Sequence, residues 1–157
     1  MRAAIGIALL AACGDDGLDP DSCKPDGFSD GLGTISGEVL GPWVRAAQFP
    51  VGELQALGFD EVAGACGEVV PTGKHLVILM CEPPEKKNYR IVPRHAFRCP
   101  GNEAFAVIER NGGTDLASSL DGLLTIDSAE GCVRGSYAIT LDTIDDIEGS
   151  FDARVCN

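Results

Sequence analysis

One five-residue pattern occurs twice in the C-terminal third of the chain. It reads Val133-Arg134-Gly135-Ser136-Tyr137 and then Ile147-Glu148-Gly149-Ser150-Phe151. Apolar and polar residues alternate in both copies, the period of a strand with one buried face. A turn between them makes an antiparallel hairpin, with Val133, Tyr137 and Leu141 on the same face as Ile147, Phe151 and Val155. Pairing Leu141 with Ile147 sets Tyr137 opposite Phe151 and Val133 opposite Val155, and such cross-strand pairs contribute about 0.2–1 kcal/mol each. The same register sets Cys132 opposite Cys156 and predicts a disulfide between them; such a bridge typically contributes about 2–4 kcal/mol. Arg134 then faces Arg154 and must splay away or reach Asp152. Residues 123–127 read as a third strand, joined through 128–131, so the chain ends in a β-meander.

The middle of the chain has the same character. Ile35, Gly37 and Val39 alternate with Ser36 and Glu38, which predicts a half-buried strand. Gly41-Pro42 supplies a turn, residues 43–49 read as the returning strand, and Pro50 stops it. From 52 to 66 the pattern is mixed: Leu54 and Leu57 face one side of a short helix, against which Gly58 and Gly64 weigh. Residues 75–80, HLVILM, form an unbroken apolar run of strand length, expected at the centre of the fold and covered on both faces. Pro83-Pro84 ends it. A further strand spans 104–109, and Asn111-Gly112-Gly113 is a turn. Together these predict an all-β fold, an antiparallel β-sandwich of about 7–9 strands stabilised by disulfides.

The N-terminus reads differently. Arg2 precedes an apolar run over residues 3–12, too short for a permanent membrane span, which needs about 20 residues. It suits the h-region of an export signal ending in small residues. A buried N-terminal helix is the plainer alternative, but the run has no amphipathic face and Gly6 interrupts it. Residues 14–33 follow, rich in Asp, Gly and Pro and nearly devoid of large apolar side chains, and are expected to act as a flexible tether of roughly 25 Å. Calcium binding there is disfavoured, because Asp19 and Asp21 lack the glycine and distal glutamate of an EF-hand loop. The expected organisation is a removable signal over 1–12, a lipidated cysteine and tether over 13–33, and one folded domain over 34–157.

Leu10-Ala11-Ala12-Cys13 resembles the lipobox of bacterial lipoproteins. That resemblance implies cleavage before Cys13, a diacylglyceryl group on its thiol and acylation of the new amine. Two or three acyl chains anchor a protein far more firmly than one. The implied address is the cell envelope, on a membrane through the lipid and most simply the outer membrane, facing the periplasm or the surface. The stretches GLLTIDSAEGCVRGSYAITL, IEGSFDARVC and GTISGEVLGPWVRAAQF resemble parts of small predicted lipoproteins of unknown function from high-GC Gram-negative bacteria. This second resemblance implies a compact β-sandwich on a lipid anchor and brings no activity with it.

The net charge of −12 becomes one unit more negative once Arg2 leaves with a signal. Such a chain is repelled by nucleic acid and by anionic headgroups, so neither is an expected partner. With Cys13 set aside for lipid, Cys23, Cys66, Cys81, Cys99, Cys132 and Cys156 remain, an even set suited to disulfides in an oxidising compartment. No short Cys-x-x-Cys spacing exists and His75 and His95 stand apart, so neither a structural metal nor a cofactor is expected. Residues 86–98 form the one basic stretch. Lys86, Lys87, Arg90, Arg94 and Arg98 either offer a face to an anionic partner or are simply paired with the abundant carboxylates, the reading favoured here.

No serine-hydrolase elbow or phosphate-cradling loop is present. The expected function is therefore a non-catalytic binding or structural module of the envelope, recognising a glycan or an envelope protein. The alternatives are a small hydrolase of envelope polymers and a surface-displayed protein inhibitor. The hydrolase requires His75 or His95 within reach of a carboxylate and a hydroxyl in a pocket.

Overall fold

The computed structural model describes residues 23, 27–64, 72–111 and 113–156. Cys13, Cys66 and the expected signal lie outside the described residues. The strands in chain order are β1 (Phe28–Ser29), β2 (Leu32–Ile35), β3 (Glu38–Leu40), β4 (Arg45–Val51), β5 (Leu54–Asp60), β6 (Lys74–Met80), β7 (Asn88–Ile91), β8 (Glu103–Arg110), β9 (Thr114–Ser128), β10 (Cys132–Leu141) and β11 (Asp146–Val155). None of the described residues is helical.

The all-β class holds, but the sandwich does not. Strands pair in the order β4-β5-β6-β8-β7-β9-β10-β11, and β11 returns to β4 through Arg154–Ala47 and Val155–Gln48, closing an eight-stranded barrel. Closure removes the free edges a sandwich would keep. The bending comes from register shifts in the long strands, between Ile108 and Glu109 and at two places along β10. Such bulges increase local twist and curve the wall.

Apolar side chains fill the interior. Leu57 and Phe59, then Leu76, Ile78 and Met80, meet Leu124, Ile126, Tyr137 and Phe151 across the barrel. Phe59 packs against both Tyr137 and Phe151 with ring centroids 5.3 Å apart. The 75–80 run is a strand as expected, but one of a barrel wall: it is inside at Leu76, Ile78 and Met80, and its outer side is only half-buried at Val77 and Leu79. Three expectations fail nearby. Pro50 does not stop the strand over 43–49, since β4 starts at Arg45 and runs through the proline to Val51. Residues 35–39 are not one strand, because Ser36 and Gly37 adopt positive φ (49° and 83°) and fold β2 back onto β3. Residues 54–60 are strand β5 and not a helix; Gly58 is tolerated because the ring of Phe49 on β4 lies over it.

The C-terminal hairpin forms two residues out from the expected register. Ile139 faces Ile147, Tyr137 faces Gly149, Gly135 faces Phe151 and Val133 faces Ala153. A slip of two keeps every side chain on its face, so the apolar pattern suits either pairing. In the observed pairing each aromatic lies opposite the glycine of the other copy; Gly149 leaves room for Gly31 and the Tyr137 hydroxyl, and Gly135 for the β9 backbone at Thr125. Arg134 now lies opposite Asp152 and contacts its carboxylate at 3.2 Å.

This register also undoes the Cys132–Cys156 bridge. Cys132 lies opposite Arg154 and is joined to Cys23, 109 residues away. Cys81 is joined to Cys99, and Cys156 is also disulfide-bonded. The sheet therefore takes in residues 28–33, which composition alone assigned to the tether. Both pairs lie at the end of the barrel where β6 finishes and β10 begins. The opposite end carries the β8–β9 and β10–β11 turns and the β2–β3 hairpin. Asp145 accepts there from the Ser36 amide at 3.1 Å, and Lys74 Nζ donates to the Val39 carbonyl at 2.8 Å.

Candidate functional site

The repeat that builds the hairpin also shapes a concavity on the outer wall. In each copy the glycine and the aromatic point inward, which turns the serine between them out. Ser136 and Ser150 consequently lie directly opposite each other on the outer wall. Thr125 extends their row onto β9. The neighbouring row runs Leu123, Ala138, Glu148 and Leu32 across β9, β10, β11 and β2. At about 4.8 Å per strand the two leucines stand roughly 14 Å apart. Between them lies an open groove of about 560 Å³, floored by Ala138, Gly149 and the edge of Tyr137.

Two carboxylates border the groove and differ in what they can do. Asp30 is occupied, accepting from the Ser150 amide at 2.7 Å and from its hydroxyl at 2.8 Å. Glu148 is exposed and has no ion pair among the described residues. Under the floor, the Tyr137 hydroxyl accepts from Trp43 Nε1 at 2.8 Å and lies 3.2 Å from Ser29 Oγ. Burial pushes the Tyr137 phenol up to about 12, partly opposed by these hydrogen bonds. The phenol is thus a structural neutral group. What faces outward is two hydroxyls, one carboxylate and two apolar rims, a set that can bind by hydrogen bonding and apolar contact.

A second polar group sits on the far side of the barrel wall. Arg45, Asp60 and His75 are neighbours across β4, β5 and β6. His75 Nδ1 lies 2.6 Å from Asp60 Oδ1, and Arg45 Nη1 lies 3.3 Å from Asp60 Oδ2. Asp60 thereby orients the imidazole, whose buried Nε2 has no hydrogen-bond partner. The carboxylate half of a hydrolase arrangement is present; among the described residues no hydroxyl contacts that nitrogen. His95 is exposed in the loop after β7.

The basic stretch is dispersed. Lys87 pairs with Glu85 at 3.0 Å, and that contact raises its ammonium above the ordinary lysine range. Arg94 reaches Asp115 at 3.5 Å and stacks over the Phe105 ring, while Arg98 turns back on the carbonyls of His95 and Phe97. Lys86 and Arg90 are exposed with no ion pair among the described residues. These five cations do not converge on one site. Cys23, Cys132 and Asp152 come together at metal-ligand distances, but both sulfurs are in the disulfide and cannot act as thiolates.

Comparisons with protein-family models, with curated proteins and with solved structures found no match to this chain. The groove was not foreseen from the sequence, because it draws on β1–β2 and β9–β11 together. One signal did point to it: the outward serines of the two Gly-Ser-aromatic copies.

Proposed function

We propose that the protein is an exported, lipid-anchored module of the bacterial cell envelope that binds a partner without transforming it, through the groove over β9, β10 and β11. The observation that carries this reading is the groove itself. The hydroxyls of Ser136 and Thr125 and the exposed carboxylate of Glu148 suit recognition, and neither histidine lies among the groove's lining residues. The disulfide-bonded state of Cys23, Cys81, Cys99, Cys132 and Cys156 fits an oxidising compartment. Cys13 would carry the lipid, with residues before Cys23 leading to the barrel. A glycan or an envelope protein segment matches the lining. The cations at Lys86, Lys87, Arg90, Arg94 and Arg98 are, on this reading, dispersed surface charges, of which Lys87 and Arg94 pair with carboxylates, and not a docking face.

The test is an NMR titration of the folded domain with neutral oligosaccharides and with short peptides. Shifts confined to Ser136, Ala138, Glu148 and their neighbours, abolished by Ala138→Trp, support the reading. Binding that maps elsewhere, or survives the blocked groove, contradicts it.

A second reading has one specific observation behind it. His75 oriented by Asp60 is the base and orienting carboxylate of a hydrolytic site, so a small envelope-polymer hydrolase is the alternative. Turnover of a polymer substrate that is lost in His75→Gln, with the fold retained, would favour it over the binding module.

A further inference from the structure

Three non-glycine residues adopt positive φ among those described: Ser36, Asn111 and Ile144. Small polar side chains tolerate that conformation, and Asn111 sits where an asparagine is ordinary. Ile144 is different. It is β-branched, lies at φ 67°, and is 84% exposed, the most exposed of the large apolar residues described. Its position is the left-handed residue that closes a three-residue hairpin loop, where glycine is the usual choice. The Ile144 amide donates to the Leu141 carbonyl at 2.9 Å, and the Leu141 amide donates to the Asp145 carbonyl at 2.8 Å. The fold gains nothing from this side chain and is strained by its Cβ.

The loop around it is rigid. Asp142 accepts from the amide and hydroxyl of Ser118 at 3.0 and 2.9 Å. Asp145 accepts from the Ser36 amide, and Asp146 accepts from the Thr140 hydroxyl at 2.7 Å. Hydrogen bonding, led by the Ser36 amide, holds the Asp145 carboxyl below the ordinary range, so it is ionised at neutral pH. A bare isoleucine is thus presented on a fixed tip among three carboxylates. Preorganisation of this kind lowers the entropic cost of docking.

We infer that Ile144 is the anchor of a protein–protein contact, inserting into an apolar socket of a partner protein whose rim carries lysine or arginine. The apolar tip sets the socket and the ring of Asp142, Asp145 and Asp146 sets the charge of its rim. This loop lies at the barrel end opposite the Cys23–Cys132 bridge, and so away from any tether that enters through Cys23. The contact is separate from the groove and does not depend on what the groove binds.

The first test needs no partner. Ile144→Gly removes the strained Cβ and is expected to raise the Tm by roughly 2–4 °C. An unchanged or lower Tm means that the fold needs the side chain and overturns the inference. The second test places a photoreactive residue at Thr143, beside the intact anchor, in the full chain mixed with envelope extract. The expected result is one discrete adduct that weakens as salt rises and is suppressed by excess wild-type protein, but not by equal excess of Ile144→Gly. No adduct, or equal competition by both proteins, overturns the inference. A matching probe at Leu32 reports the groove separately: an adduct from Leu32 with silence at Thr143 refutes the anchor and leaves the groove reading intact.

Discussion

Trp43 and Tyr137, 94 residues apart in the chain, meet at one buried hydrogen bond, the indole Nε1 donating to the phenol oxygen at 2.8 Å. Trp43 follows the β2–β3 hairpin and Tyr137 belongs to the barrel wall, so this bond fastens the hairpin and the first strand to the core. Tyr137 reaches it because Gly149 opposite has no side chain; a Cβ there would collide with Gly31 and crowd the phenol.

Replacing Tyr137 with Phe keeps the ring packing on Phe59 and leaves the indole N–H buried without its acceptor. A buried donor left unpaired costs about 1–3 kcal/mol. Urea unfolding of Tyr137→Phe is expected to show a lower midpoint with an unchanged slope. A loss well under 1 kcal/mol would mean that water or another group takes over the indole.

Alkaline pH should act through the same hydroxyl. The Tyr137 phenol is pushed up to about 12 in the folded protein, against about 10 in the unfolded chain. The folded state therefore holds its proton more tightly, and this contribution is fully present below pH 10. It is lost as pH rises from about 10 to about 12, by up to about 3 kcal/mol. Measuring stability across that window in wild-type and Tyr137→Phe proteins isolates it, and the variant should show a shallower decline.

Ser119 predicts a second structural weak point. It is buried where β7 enters between β8 and β9, and its hydroxyl donates to the Val92 carbonyl at 2.7 Å while accepting from the Ala106 amide at 3.0 Å. Ser119→Ala strands both backbone groups, a cost of about 1–3 kcal/mol for each buried group left unpaired. Thermal unfolding and faster hydrogen exchange at the Ala106 amide would register it. Exchange at Ala106 unchanged from wild type would show that the wedge is held by something else.

Strand content was legible in the sequence because alternation survives any arrangement of the strands. The outward and inward faces of β10 and β11 were legible for the same reason. Their register was not, since a shift of two residues leaves Val133, Tyr137 and Ile147 on the buried face. What periodicity does not record is the close approach at the two glycines, of Gly31 and the Tyr137 hydroxyl to Gly149 and of the Thr125 backbone to Gly135. Barrel and sandwich were likewise indistinguishable, because both bury one face of each strand and differ only in bulges that follow from three-dimensional curvature. Leu54 and Leu57 mimicked helical spacing, but in β5 a separation of three puts them on opposite faces, Leu57 buried inside and Leu54 half-buried where the strand begins. The Asp- and Gly-rich stretch looked like pure tether because composition does not reveal that Cys23 is covalently joined to β10.

The closed wall stitched to its N-terminal segment is the claim on which the positions of the groove and of the Ile144 loop depend. Peptide mapping of the native, non-reduced protein tests it most directly. It should yield a peptide pair joining Cys23 to Cys132 and another joining Cys81 to Cys99. A peptide pair joining Cys132 to Cys156 would contradict the register of β10 on β11 and, with it, the closure of the barrel.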